Sequence, residues 1–233
     1  MNKRRSFIVG IKSIKLLKKE KIFLKKFKPW GVILFTRNIK NIKQTNKLTN
    51  SIRKIFNDSK YPILIDQEGG RVNRLKKIIV FDNLTSEFFG KRYIENFKEF
   101  KFFYKLFIDK TSYLLKSIGA NINTVPVLDL KIKGASNIIG NRSFSNDPKI
   151  VSKIGDYCIK YFHDNGIGTV IKHIPGHGLS KVDSHFLTPV INKKENYLLK
   201  NDFYTFKNKK AFFAMTGHIV FKKIDKNNTV THS

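Results

Sequence analysis

The sequence predicts an α/β fold in which parallel strands are covered by helices. Three observations predict it. Short apolar runs recur along the 233 residues, each ending in a polar or Gly-containing loop. The runs are continuously apolar rather than alternating, as in strands buried on both faces. Segments with helical spacing separate them.

The runs are "SFIVGI" (6–11), "GVILF" (31–35), "PILID" (62–66), "NINTVPVLDL" (121–130), "GTVIKH" (168–173) and "AFFAMTGHI" (211–219). Residues 31–35, 62–66, 121–127, 168–172 and 211–217 are expected to be adjacent parallel strands. Residues 39–56 place Ile39, Ile42, Leu48, Ile52 and Ile55 near one helical stripe. Residues 95–118 do the same with Phe102, Phe103, Leu106, Phe107, Tyr113 and Leu114. A third helix, 148–165, opens at Asp147-Pro148, an N-cap followed by a first-turn Pro. Open sheets and closed barrels share this alternation, and both put chemistry at the carboxyl ends of the strands.

Composition narrows the function classes. An apolar fraction of 41% is ordinary for a globular chain. No apolar run approaches the roughly 18 residues that span a bilayer. The start, "MNKRRSFIVGIKSIKLLKK", has basic residues before an apolar patch. That patch is shorter than a signal-peptide core, so it reads as a first strand. The single Cys158 forms no internal disulfide and fits the reducing cytoplasm. The net charge is +29, yet only eight of the 46 basic residues are Arg. Nucleic-acid readers lean on Arg forks, and these Lys residues are spread along the whole chain. The charge therefore reads as a solvated Lys surface, with nucleic acid not expected as a partner.

The stretch "IKHIPGHGLSKVDSH" (171–185) holds three of the six His residues straight after an apolar strand. Gly176 and Gly178 allow sharp turns, close backbone approach and movement. Asp183 and His185 share a face if the segment is extended. A carboxylate beside an imidazole orients it and favours its protonated form, which suits a general acid/base. The same pair also suits a surface turn whose Asp caps a backbone group. As metal ligands, His173, His177, Asp183 and His185 lie on a Pro-Gly loop that does not aim their rings at one ion, so no metal is expected.

Two further segments carry chemistry. In "LIDQEGGRVNRL" (64–75), Asp66 and Arg74 read as ligand-facing, and Glu68 and Arg71 as internal ion-pairing groups. In "IIGNRSFSNDP" (138–148), Arg142 lies in a Gly/Asn/Ser loop and Phe144 anchors that loop inward. Arg142 reads equally as a cap for the following helix.

Taken together and in order, "GVILFTRNI", "LIDQEGGRVNR", "VPVLDL", "IIGNRSF", "KHIPGHG…DSH" and "GHIVF" resemble the family 3 glycoside hydrolases. The branch resembled is that of bacterial β-N-acetylhexosaminidases of cell-wall recycling. The resemblance covers essentially the whole chain as one barrel domain, residues 1–233. It implies a (β/α)8 TIM-type barrel and a retaining mechanism needing no cofactor. It implies His185 as general acid/base with Asp183 as its partner. It also implies that Asp66, Arg74, Arg142, Lys172 and His173 contact an N-acetylglucosamine unit of cell-wall saccharides. Using His as acid/base puts a group of near-neutral pKa where most such enzymes use a second carboxylic acid.

The chain departs from the family pattern twice. Leu179-Ser180 follow "PGHG" where the family has Asp, a position read as structural. The family's nucleophilic Asp, in an "SDD"-like motif on a later strand, has no counterpart before Ser233. Six of eight βα units are expected here. Asp129, Asp202 and Asp225 are available carboxylates, but none sits in a nucleophile motif. The expectation is a C-terminally truncated barrel, left open between an interrupted gene product and one whose missing piece is supplied by a separate C-terminal fragment. The alternative is a non-catalytic N-acetylglucosamine-binding remnant.

Overall fold

A computed structural model of the chain describes residues 4–182 and 187–233. Its elements, in chain order, begin with β1 (Arg5–Gly10), α1 (Lys18–Phe27), β2 (Pro29–Leu34), α2 (Ile42–Phe56) and β3 (Ile63–Ile65). Then come β4 (Gln67–Gly69), β5 (Val72–Asn73), α3 (Ser86–Glu95), α4 (Phe97–Ile118) and β6 (Ile122–Asn123). The rest are α5 (Pro148–Asp164), β7 (Gly168–Ile174), β8 (Val190–Ile191), α6 (Glu195–Lys200), β9 (Phe213–Thr216) and β10 (Val220–Phe221).

One sheet runs in the order β1-β2-β3-β6-β7-β9, and every neighbouring pair is parallel. The five adjacent parallel strands expected from sequence are all present, with β1 as a sixth. β6 is shorter than its apolar run: Pro126 has no amide to donate, and pairing resumes only as a bridge from Val127 to Lys172. Short pairs β4–β5 and β8–β10 lie outside this sheet.

The sheet curls. Trp30 on β2 and Phe213 on β9 meet edge-to-face at 5.1 Å. Four strand spacings of about 4.8 Å would hold them near 19 Å apart on a flat sheet. Residue parity assigns the two faces. Ile33, Leu64, Ile122, Val170 and Met215 fall on the concave side, and Trp30, at the start of β2 where parity does not hold it, packs with them. Val32, Leu34, Ile63, Ile65 and Ile171 face the helices and join the main core. This half-barrel is the incomplete α/β barrel expected.

The helices start where their caps dictate. Asn41, Thr85, Asn96 and Asp147 side chains accept backbone N–H groups at the starts of α2, α3, α4 and α5. The helix α4 corrects one expectation. Its buried apolar residues are Phe100, Tyr104, Ile108, Leu114, Leu115 and Ile118, of which Leu114 was expected. Phe102, at 66% exposure, faces outward with Phe103, Leu106 and Tyr113. The helix is apolar on two stripes, so periodicity alone does not say which faces the sheet. Among the described residues no helix is long and apolar enough to cross a membrane.

The loop carrying Phe144 is fixed by close packing. Phe144 is buried against Tyr104, and its backbone lies directly over Gly90 of α3. A Cβ on Gly90 would sit 1.7 Å from the Phe144 carbonyl oxygen. Gly90→Ala is therefore expected to destabilise the protein by about 3 kcal/mol or more, because backbone must move to admit one methyl group. Chemical denaturation measures it, and a loss under about 0.5 kcal/mol would show that the α3 contact is slack.

Candidate functional site

The site grows out of the concave rows. Asp66 continues the parity of Leu64 just past β3, Thr124 that of Ile122 past β6, and Lys172 that of Val170 near the end of β7. All three therefore emerge at the carboxyl end of the sheet on the same side. Lys172 is only 2% exposed. Its Nζ donates to Asp66 Oδ1 at 2.9 Å, lies 2.6 Å from Glu68 Oε1 and reaches Thr124 Oγ1 at 3.2 Å.

Glu68 takes a second cation. Arg142 donates to it through Nε and Nη2, both at 2.8 Å, in a two-pronged pair. Burial alone would raise the Glu68 carboxyl, but Lys172 and Arg142 outweigh it and hold it at about 2. Burial likewise works against Asp66, and Lys172, Thr124 and Arg74 keep it far below the usual carboxylate range. Burial would lower the Arg142 guanidinium, and Glu68 more than restores it. Arg74 Nη2 stands 3.5 Å from Asp66 Oδ2, the loosest contact of the set.

His173 is held from behind. Its Nδ1 lies 2.6 Å from Asp129 Oδ2. Asp129 is buried and stays ionised because His173 and the His177 amide outweigh its burial. An ionised carboxylate only accepts, so Nδ1 carries the proton and Nε2 is left for an occupant of the pocket. The expectation that Gly176 and Gly178 loosen this loop is corrected. Residues 176–178 are buried. A Cβ on Gly176 would lie 2.7 Å from Asp202 Cβ, and one on Gly178 would lie 2.4 Å from the Leu130 carbonyl oxygen. These glycines allow close approach.

Asp66, Arg74, Arg142, Lys172 and His173 thus line one pocket of about 360 Å³, closed on the β9 side by Met215 through His218. Residues far apart in sequence, the farthest pair 66 and 173, converge there. Arg142 does not cap α5, a role taken by Asp147. Arg71 does not pair with Glu68. Its guanidinium binds the carbonyls of Asn137, Ile138 and Ile139 and so fixes the loop before Arg142. Glu68 is the group whose weight sequence reading missed, since it clamps both Lys172 and Arg142. Asp129 was visible as a polar residue at a strand end, flanked by apolar neighbours. Asp183 and His185 lie outside the described residues.

A larger groove of about 850 Å³ runs beside α3 and α4, lined by Phe88, Phe103, Leu106 and Phe107. Arg92 and Glu99 pair on its rim. Size therefore does not mark the chemistry; convergent acid and base groups do.

The sequence pattern of the glycosyl hydrolase family 3 N terminal domain matches residues 8–233. A β-hexosaminidase A from Pseudoalteromonas piscicida is 31% identical over 208 residues, covering 86% of this chain and 34% of that protein. A β-hexosaminidase from Hydrogenovibrio crunogenus is 32% identical over 198 residues, covering 84% of this chain and 55% of that protein. Among solved structures, NagZ from Neisseria gonorrhoeae in complex with N-trifluoroacetyl-D-glucosamine superposes with a TM-score of 0.86 at 27% identity. It covers 97% of this chain, which spans 66% of that one. A family 3 β-N-acetylglucosaminidase from Paenibacillus gives a TM-score of 0.86 at 25% identity, with 97% of this chain and 43% of that one covered. The chain spans about a third to a half of the length of these two curated relatives.

The Glu68 clamp predicts two outcomes. Glu68→Gln leaves two buried cations short of their counter-charge, and a loss of about 3–5 kcal/mol is expected on denaturation. A loss below about 1 kcal/mol would mean Lys172 and Arg142 are satisfied without it. Because the folded carboxyl is depressed, its stabilisation is present above the ordinary value of 4.5 and is lost as pH falls towards about 2. Acid unfolding of the wild type should therefore steepen in that interval, and unchanged stability from pH 5 to 2.5 would contradict the ion-pair assignment.

Proposed function

The chain belongs to glycosyl hydrolase family 3, and on that premise we propose that it carries the sugar-binding and acid/base part of a retaining β-N-acetylhexosaminidase. The substrate class is terminal β-linked N-acetylglucosamine on cell-wall fragments. One observation carries this reading: the convergence of Asp66, Arg74, Arg142, Lys172 and His173 on one pocket at the carboxyl ends of the strands.

The chemistry follows from the groups. Asp66 offers acceptor lone pairs to sugar hydroxyls, while Arg74, Arg142 and Lys172 offer donors. His173 Nε2 faces the same space, oriented by Asp129. A neutral, hydroxyl-rich ring suits such a mixed set better than a free anion, because each cation here already has a carboxylate partner.

The proton would come from His185, with Asp183 as its orienting partner. A retaining enzyme needs an acid at the leaving oxygen, then a base for water. An imidazole beside a carboxylate serves both steps near neutral pH. Neither carboxylate lining the pocket is free to attack the sugar: Asp66 and Glu68 are each neutralised by Lys172 and an Arg. In this reading the nucleophile comes from polypeptide beyond residues 1–233, which form one barrel domain, and no cofactor is required. The same observation supports a second reading, an N-acetylglucosamine-binding module that does no chemistry by itself. The one buried Cys158 fits a cytoplasmic setting, and the Lys-dominated charge is read as surface rather than as a nucleic-acid site.

Calorimetry with N-acetylglucosamine tests the binding half. Arg142→Ala, with folding checked by circular dichroism, should weaken affinity at least tenfold by removing a donor held in place by Glu68. Unchanged affinity would remove the sugar site from this pocket. Release of nitrophenol from an aryl N-acetylglucosaminide separates the two readings. Activity restored by a separately made C-terminal polypeptide supports the enzyme, and inactivity with that polypeptide bound supports the binding module. In the active form, His185→Ala should slow substrates with poor leaving groups far more than aryl glycosides.

A further inference from the structure

A second buried carboxyl lies under the site and takes no part in it. Asp202 follows α6, is 1% exposed, and lines no part of the pocket. Among the described residues, both of its carboxyl oxygens are buried with no hydrogen-bond partner in another residue. A carboxyl so placed cannot hold a charge cheaply, since burying an unpaired ion costs several kcal/mol on the order-of-magnitude scale.

Its position gives it a consequence. Gly176 lies against it so closely that a Cβ there would come within 3.3 Å of Asp202 Oδ1. Gly176 is bracketed by His173 and His177, the two residues fixed on Asp129: His173 through its ring and His177 through its amide. The charged group acting on Asp202 is that same Asp129, from the segment after β6. On its own segment the neighbouring contact is Thr205, which donates to the Asp202 backbone carbonyl and leaves the carboxyl alone.

We propose that Asp202 is a positioning residue: a neutral carboxylic acid beneath Gly176 that keeps the Asp129–His173 pair in register while protonated and disturbs it when ionised. Burial first, and Asp129 second, push its carboxyl up to about 7. Below that, Asp129 is the negative charge that acts on Asp202 among the described residues. Above it, two carboxylates stand together with no side-chain donor for the second among those residues. The Asp129–His173 contact must then respond by shifting with the loop. The inference rests on the proposed sugar site only for its relevance to binding; the coupling itself does not require a sugar.

The test uses the whole chain with no ligand present, so its result is independent of whether N-acetylglucosamine binds. Carbon-13 carboxyl NMR of the wild type should show one Asp signal titrating near pH 7, absent in Asp202→Asn. Nitrogen-15 spectra of the wild type should show the His173 ring signals moving in step with that Asp signal. In Asp202→Asn, whose amide copies the neutral acid in shape, that movement should vanish. Should that variant fail to fold, Asp202→Ser removes the ionisable group with less bulk and takes its place. All Asp signals titrating below pH 5 would overturn the proposal. So would His173 ring signals that superimpose in wild type and variant at every pH, since that leaves Asp202 a packing residue.

Discussion

A single ammonium group organises this site. Lys172 is buried to 2% exposure near the end of β7, and its charge is tolerable there only because Asp66 and Glu68 stand at 2.9 and 2.6 Å. Each carboxylate in turn recruits an Arg: Arg142 closes on Glu68 with two bonds, and Arg74 reaches Asp66 more loosely. Two negative and three positive groups leave the cluster near neutrality, with one positive charge over. The chain's +29 therefore has little to do with the pocket. It resides mainly in surface lysines, while the pocket's own field is set by short pairs that solvent and salt scarcely screen.

That cluster makes demands on the backbone, and the fold meets them with parity and with glycine. Strand alternation places Asp66, Thr124 and Lys172 on the concave side without any further device, because each lies two residues beyond an inward apolar residue. The loops need more. Arg142 arrives from a segment pinned by Arg71 to three successive carbonyls and by Phe144 over Gly90. The His173–His177 loop rests on Leu130 and Asp202 through Gly178 and Gly176. Rigid support of this kind is what lets a pocket made from far-separated residues keep a fixed shape.

Much of this was legible in the sequence, and the reasons differ by level. The parallel strands were readable because burial on both faces makes them apolar throughout. The helix α2 was readable from Leu48 and Ile52, and α5 from its Asp147-Pro148 start. The helix α1 was not, since "KKEKIFLKKF" buries only Leu24 and leaves Ile22 and Phe23 exposed. The stripe of α4 was misread because Phe102, Leu106 and Tyr113 keep helical spacing on the solvent side. The five pocket residues were named through the family resemblance, by their positions in motifs rather than by spacing alone. The central weight of Glu68 was not, because sequence cannot tell which of several nearby cations a carboxylate will meet. Nor could it show that Gly176 and Gly178 serve close contact rather than movement, since both uses need the same residue.

The two carboxyls beneath the loop show how far environment outweighs residue type. Asp129 and Asp202 are buried to the same 1% exposure. Asp129 receives the His173 ring and two backbone amides, from His173 and His177, and remains an anion below its usual range. Among the described residues Asp202 receives no side-chain donor, only the weak pull of its own amide, and it is pushed up to about 7, partly by Asp129 itself. Donors make the difference: a buried carboxylate that accepts several hydrogen bonds is stable as an ion, and one that accepts none is stable as an acid. The ionised member then raises the other further, so the first choice reinforces the second. Two titratable groups driven apart in this way divide their roles, one orienting an imidazole and the other answering to pH.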